Sequence, residues 1–284
     1  MPVTAPLRAR PAGRLGSTRL VAAAATGLAP LLDGADRSGV VIGALSQAVI
    51  IQISGVRDPR VICLLSAAAS GVPNGVRLGG IRSMDGHRPG DEVVVGGGRI
   101  RTVGRELAIV RRWSSAVRPI DPPTGTTELA EAAAAARRGV TASQLAALTE
   151  ALEHCVDSTT EDVARSAIDA LVGLGPGLTP AGDDVVAGML TGLHATGHAG
   201  LAGRLGRVER LDERTTALSA DLIRLAAAGH AGVEVLHLLA AVHTRAPLRR
   251  PIERLLSVGH TSGADLATGL AIGMRVGATR REVR

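Results

Sequence analysis

The residues best suited to chemistry lie close together in one stretch, GLGPGLTPAGDDVVAGML, at positions 173–190. Gly175 and Gly177 allow positive φ angles and let the backbone approach a ligand closely. Thr179 followed by Pro180 predicts a helix start with Thr179 as the N-cap, which leaves free N–H groups and the positive helix end at the loop. The stretch therefore predicts an anion-binding site.

Two adjacent acids, Asp183 and Asp184, fall in the first turn of this predicted helix. Acids at this place can simply complement the helix dipole. Neighbouring helical residues point about 100° apart, however, so one acid can face the loop while the other faces a second partner. A carboxylate beside an anion needs a mediator such as Mg²⁺ or an arginine. We predict that the pair is catalytic, with Mg²⁺ bound by both acids as an alternative.

A second stretch, GHTSGAD at positions 259–265, repeats the pattern of glycine, threonine, glycine and acid before a buried helix. Gly269 follows Asp265 by four positions, as Gly188 follows Asp184. The echo predicts two helix starts that face each other across one pocket. His260 and Asp265 are the catalytic candidates here, and Thr261 and Ser262 the binding candidates. A histidine packed at a helix terminus explains His260 equally well.

Arg214 and Thr215, with Thr216 and Ser219, have the spacing of one helical face. That spacing predicts a guanidinium and hydroxyls on one helix, either as an anion clamp or as exposed polar surface. The pair His194 and His198 has the i,i+4 spacing of metal ligands but lacks an evident third ligand, which favours a role at a helix C-terminus.

Composition excludes several functional classes. The 284 residues have a net charge of +6, no lysine and a single tryptophan, Trp113. A lysine Schiff base and a Walker lysine are therefore excluded, and a stacking platform for nucleic acid is disfavoured. Cys63 and Cys155 are expected to be reduced core residues. No apolar run reaches a membrane span, so the sequence favours a cytoplasmic protein without membrane or nucleic-acid partners.

The elements that must position the candidate residues predict an α+β fold. Residues 1–37 are expected to form a tail and a short helix, and residues 38–120 a small β-rich barrel or sandwich. The segment DPPTGTT at 121–127 marks a boundary, after which residues 121–284 have the periodicity of an all-helical bundle. Capping boxes at Thr141 and Ser158 open two of its helices.

Three motifs resemble those of one known family. They are GxGPGLTPxxDDxxxGML, GHTSGADxxxG and, from Thr215 to Gly229, TTxxSxxxxRxAAxG. The chain resembles the AllH family, which takes its name from a subunit of oxamate carbamoyltransferase in allantoin breakdown, a part of purine catabolism. The resemblance is close over the helical half and loose over the β half. Ala181 departs from the serine often found at that place.

The resemblance implies phosphate-dependent carbamoyl transfer, in which oxalurate and phosphate give oxamate and carbamoyl phosphate within a multi-subunit enzyme. Under it, Gly175, Gly177 and Thr179 hold a phosphate or carboxylate, and Asp183 or Asp184 positions a metal or orients a base. The second helix start completes the pocket, and Arg214 supplies a countercharge.

Two other functions are consistent with the sequence. The first is a non-catalytic subunit whose glycine loop binds a regulator or docks against partner subunits. The second is an ATP- and Mg²⁺-dependent enzyme, which the missing lysine and the missing aromatic stack disfavour. Neither the exact substrate nor the oligomeric state follows from the sequence, and a homodimer stays open.

Overall fold

The computed structural model describes residues 18–56, 59–120, 125–157 and 161–279. The predicted tail up to residue 17, residues 121–124 of the predicted boundary and the start of the capping box at Ser158 lie outside these residues. The division into domains therefore stays a prediction.

Eight strands form a closed barrel in the N-terminal part, which decides between the two predicted β architectures. Around the barrel their order is β1-β5-β4-β3-β2-β6-β7-β8. Two neighbouring pairs, β1 with β8 and β4 with β5, are parallel, and the others are antiparallel. The strands are β1 Thr18–Ala25, β2 Arg37–Ala44, β3 Ala48–Ile53, β4 Val61–Leu65, β5 Gly75–Leu78, β6 Glu92–Gly96, β7 Arg99–Thr102 and β8 Arg105–Trp113.

Alternating aliphatic residues fill the barrel, among them Ile51, Ile62 and Leu107, all fully buried. Gly97 and Gly98, both with positive φ angles, form the turn that joins β6 to the antiparallel β7. The structure differs at the N-terminal end: Thr18–Ala25, in the segment expected to be a tail and short helix, is strand β1. Its apolar run alternates poorly because alanines occupy it, but it is needed to close the barrel against β8.

Helices dominate the chain after the barrel. Those described are α1 Ala29–Leu32 beside the barrel, then α2 Thr126–Ala136, α3 Ala142–Asp157, α4 Asp162–Leu171, α5 Ala181–Ala195, α6 Ala199–Leu205, α7 Leu211–Arg214, α8 Ala217–Ala227, α9 Val233–Thr244, α10 Arg249–Leu256 and α11 Ser262–Thr279. The described helices include none with both the length and the hydropathy needed to cross a membrane. The predicted capping box of α3 is confirmed, because Thr141 and Gln144 exchange hydrogen bonds between side chain and backbone.

Helices α5 and α11 run parallel through the centre of the helical part with their backbones in direct contact. A Cβ atom on Gly188 would lie 2.1 Å from the carbonyl oxygen of Leu266, and one on Gly269 would lie 1.9 Å from that of Val185. One turn further, Gly192 and Gly273 repeat the same close approach. Only glycine permits this contact, since any side chain would push the two helices apart.

The two helices are also related to each other by an approximate twofold repeat. Gly182, Gly188 and Gly192 on α5 have the same spacing as Gly263, Gly269 and Gly273 on α11. Each helix also carries its buried acid two positions after the first glycine of the set. The echo noticed in the sequence is therefore a structural repeat, and it brings both helix starts to the same end of the pair.

A buried carboxylate joins the barrel to the helices. Asp221 of α8 accepts hydrogen bonds from the backbone N–H groups of Arg60 at 2.7 Å and Val61 at 2.6 Å, at the start of β4. Burial raises the pKa of Asp221 to about 6, while these two N–H groups and the nearby arginines lower it. The contact fixes the barrel wall against α8 and so defines the space between the two parts.

We predict that Gly269→Ala destabilises the protein, because the new methyl group would overlap the carbonyl oxygen of Val185. Overpacking of this kind costs about 1–3 kcal/mol, which corresponds to a Tm lower by roughly 2–4 °C per kcal/mol. Gly203→Ala on α6 is the matched control, since its Cβ would lie 3.8 Å from the nearest atom. That variant should keep or slightly raise the Tm. Equal Tm values for the two variants in a thermal melt would contradict the role given to Gly269.

Candidate functional site

A cleft of about 720 Å³ lies between the barrel and the helices. One wall comes from β3, β4 and the loop around Gly71, and the opposite wall from α5, α8 and α9. Its polar end is formed by the loops that precede α5 and α11. The cleft therefore meets the glycine-rich stretch and its repeat, the two motifs that the sequence singled out.

The two helix starts are joined directly at this polar end. The hydroxyls of Thr179 and Ser262 share a hydrogen bond at 2.8 Å. Among the described residues, no group accepts a hydrogen bond from the backbone N–H of Gly177, Thr179, His260 or Thr261. Two parallel helices thus direct their positive ends, with free donors, at one place. This arrangement suits an anion better than either helix start alone.

Asp184 lies at this junction and lines the cleft. Its exposed fraction is 8%, and its Oδ2 atom has no hydrogen-bond partner in the described part of the chain. Burial raises the pKa of Asp184 to about 8; the hydroxyls of Ser262 and Thr179 lower it, and the charges of Asp265 and Asp183 raise it further. At neutral pH this carboxyl is therefore mostly protonated and able to donate a proton or a hydrogen bond to a ligand.

Asp183 points away from the cleft and holds the glycine loop in place. Its Oδ1 accepts from the backbone N–H of Gly173 at 2.8 Å, and its Oδ2 accepts from the hydroxyl of Thr215. Gly173 has φ +79°, a conformation that favours glycine. With both carboxylate oxygens engaged, Asp183 fits a positioning role for the loop better than the catalytic role predicted for it.

Asp265 is the repeat counterpart of Asp184, but it does not line the cleft. It is fully buried on the other side of the helix pair, where a Cβ on Gly139 would lie 3.7 Å from its Oδ2. Burial raises the pKa of Asp265 to about 6, and Arg137 lowers it. Its charge still reaches the cleft, because it is one of the causes that raise the pKa of Asp184.

The other predicted residues divide into those inside and those outside the cleft. Gly177, Thr179, His260, Thr261 and Ser262 line it, and the ring of His260 is exposed. Gly175 does not line it; its φ of +113° shapes the turn instead.

The predicted arrangement of Arg214 and its hydroxyl neighbours on one helix is wrong. Helix α7 ends at Arg214, Thr215 is extended, and Thr216 is the N-cap of α8. Arg214 donates to the carboxylate of Asp169 at 2.6 Å and does not line the cleft. The sequence spacing misled because the helical period breaks between Arg214 and Thr216.

The helix cap predicted at Thr179 is also wrong. Pro180, with φ −52° and ψ 141°, occupies the N-cap position, and no side chain caps α5. The hydroxyl of Thr179 is bonded to Ser262 instead, which the sequence alone could not indicate.

The described residues contain no group of three or more histidine, cysteine, aspartate or glutamate side chains able to hold a metal ion. Asp183 and Asp184 do not converge on one point, because Asp183 is bonded to Gly173 and Thr215. Cys63 lines the cleft, but burial and then the charge of Asp221 raise the pKa of its thiol to about 12. The thiol is therefore a poor nucleophile.

Sequence reasoning missed the barrel wall of the site and three polar residues that line it. Gln47, Glu234 and His230 line the cleft together with an apolar wall from β3 and β4. The backbone N–H of Gly71 donates to both carboxylate oxygens of Glu234 at 3.2 Å, and the Oγ of Ser115 hydrogen-bonds the Nδ1 of His230 at 2.9 Å. These residues carry no local motif, since they meet only when the barrel packs on the helices.

We predict that Asp184→Asn changes how stability depends on pH. The pKa of Asp184 is raised from 3.8 to about 8, so between these values the folded protein holds a proton that the unfolded chain has lost. The free energy of unfolding of the native protein should therefore fall as pH rises, by up to about 1.4 kcal/mol per pH unit for this carboxyl. Asparagine does not titrate, so the variant should not show this fall. In urea unfolding at pH 5, 6, 7 and 8, the free energy of unfolding of the variant should therefore rise relative to that of the native protein up to pH 8.

Glu253→Gln serves as the control for this comparison, because Glu253 is exposed on α10 and, in the part of the chain that the structure describes, forms its ion pair with Arg249. Its stability difference from the native protein should stay nearly constant above pH 5. Parallel curves for Asp184→Asn and the native protein would refute the raised pKa.

Asp183→Asn should loosen the glycine loop, because an amide nitrogen cannot accept the hydrogen bond that one carboxylate oxygen accepts now. A lost bond of this buried kind costs about 1–3 kcal/mol. Hydrogen exchange should speed up at residues 173–179 and stay unchanged in β3. Thr215→Val removes only one of the two bonds and should have a smaller effect; faster exchange in Thr215→Val than in Asp183→Asn would contradict this role.

No solved structure matches the chain. Residues 171–274, which include both helix starts, match the model of the family described as oxamate carbamoyltransferase subunit AllH. The matched segment contains α5, α8, most of α11 and the loops at the polar end of the cleft, so this part of the chain is similar to the AllH family.

Proposed function

We propose that this protein is a subunit of an oxamate carbamoyltransferase-type enzyme and that its cleft binds the small anions of a phosphate-dependent carbamoyl transfer. The reaction proposed is oxalurate plus phosphate to oxamate plus carbamoyl phosphate. The family match supports the class of enzyme. The identity of the two reactants goes beyond that match and is the part that we propose.

The observation that carries the proposal is a buried acid, Asp184, beside the joined starts of two parallel helices. Each helix start contributes about half a positive charge, and the cleft offers free N–H groups around Thr179 and Thr261. Arg214 is paired elsewhere, so the helix ends would replace the countercharge expected from it. Asp184 with its pKa near 8 keeps the site from carrying a negative charge of its own.

The chemistry fits this arrangement. An oxygen of hydrogen phosphate attacks the carbamoyl carbon of oxalurate, and the bond from that carbon to the amide nitrogen breaks. Asp184 donates its proton to the departing nitrogen, which gives oxamate, and then takes up the proton that the phosphate lost. The free N–H groups of the loops would stabilise the negative charge on the tetrahedral intermediate. No metal or covalent enzyme intermediate is needed for these steps to balance.

The proposal includes partner subunits. The family is named for one subunit of an enzyme, and Leu178 on the glycine loop is 45% exposed beside the cleft. We expect other subunits to supply groups that the cleft lacks, arginine above all.

The test is thermal shift of the purified chain at pH 7 with phosphate, carbamoyl phosphate, oxamate or Mg-ATP. A ligand at a hundred times its Kd should add about 2.7 kcal/mol of stability. We expect shifts with the small anions and none that is specific to Mg-ATP. Asp184→Asn, as a variant that keeps the shape of the site, should bind phosphate but abolish oxalurate phosphorolysis by the complex co-expressed with its partners.

Glu253→Gln is again the control and should behave as the native chain in both assays. A shift with Mg-ATP alone would favour a nucleotide-dependent enzyme. A complex that forms while the chain shifts with none of the ligands would favour a non-catalytic subunit. Full activity of Asp184→Asn would show that Asp184 is not the proton donor.

A further inference from the structure

The cleft is larger than the proposed reactants require. Oxalurate and phosphate together have about 14 heavy atoms; even at the roughly 30 Å³ that a water molecule occupies in the liquid, they would fill about 420 Å³. The cleft measures about 720 Å³. The difference leaves space for up to about ten further carbon-sized groups at roughly 30 Å³ each.

The remaining space has apolar walls. The barrel contributes one side and α8 with α9 the other, and the large side chains on these two sides include Leu45, Ile50, Leu65, Leu218, Leu222 and Val235. Leu45, in the loop between β2 and β3, is 51% exposed. Small charged anions gain nothing from such walls, whereas an alkyl group would remove this apolar surface from water.

The polar end of the same cleft calls for a hydrogen-bonding head group. The Oδ2 of Asp184 is buried without a partner in the described residues, and Asp184 lines the cleft. An unpartnered buried carboxyl is costly unless a ligand satisfies it. The volume also lies within the range of sites for small molecules, about 300–1,000 Å³. A ligand with a polar head and an apolar tail would satisfy both ends at once.

We propose that the cleft takes an amphipathic anion, with its carboxylate or carbamoyl head at the two helix starts and an aliphatic tail of several carbons along the barrel wall. This inference rests on the proposed anion site and extends its substrate class from oxalurate to anions with the same head group that also carry an alkyl substituent.

The test is a ladder of probes, acetate, butyrate, hexanoate and octanoate, titrated by calorimetry into the full chain at pH 7. Each buried methylene should tighten binding about fourfold. From butyrate to octanoate the gain should be on the order of 200-fold. Phosphate is titrated in parallel as the probe of the head-group site alone.

Ala48→Leu narrows the cleft from the half-exposed start of β3 and should weaken octanoate at least tenfold without weakening phosphate. Ala108→Leu, on half-buried β8 and outside the cleft, is the matched control and should leave both affinities unchanged. Both variants should melt as the native chain does.

Equal affinities for the four carboxylates would overturn the inference, and so would an octanoate affinity that is the same in Ala48→Leu as in the native chain. A steep ladder without phosphate binding would support the apolar site while the carbamoyl-transfer proposal fails. Phosphate binding together with equal affinities for all four carboxylates would support the anion site and overturn the inference of an apolar site.

Discussion

The contact between α5 and α11 is the constraint on which the rest of the structure depends. Two parallel helices repel each other through their dipoles, so close packing must compensate. Glycines at matched positions on both helices let their backbones touch, and aliphatic residues such as Val185 and Met189 then pack around them. The pair in turn fixes where both helix starts lie, and thus where the cleft has its polar end.

The same geometry explains why the two equivalent acids of the repeat have different surroundings. Asp184 and Asp265 occupy equivalent positions, but the barrel covers only one side of the helix pair. Asp184 therefore faces a cleft, whereas Asp265 is covered by the loop at Gly139. Both acids are buried and close to each other, so burial and mutual repulsion favour their protonated forms. Neither acid then neutralises the positive helix ends, which stay available to an anion.

Local patterns in the sequence were enough to predict the β-rich part, the helical part and the two halves of the site. The short apolar runs of the β-rich part and the capping box at Thr141 depend only on neighbouring residues, and the glycines and prolines of the GxGPGLTP stretch mark it as unusual. What failed required knowledge of contacts between distant segments. Alanine-rich β1 is held as a strand by β8, Arg214 turns to Asp169, and the hydroxyl of Thr179 leaves its helix for Ser262. The barrel wall of the cleft had no sequence signal at all.

The central claim is that a protonated carboxyl lies at an anion site made by two helix starts. Carbon-13 NMR of the protein labelled at aspartate Cγ, with Asp184→Asn to assign the signal, measures this directly. The account predicts that the Asp184 signal titrates with a midpoint near pH 8 and that phosphate moves the midpoint higher, because a bound anion disfavours the carboxylate. A midpoint near pH 4, unmoved by phosphate, would contradict it.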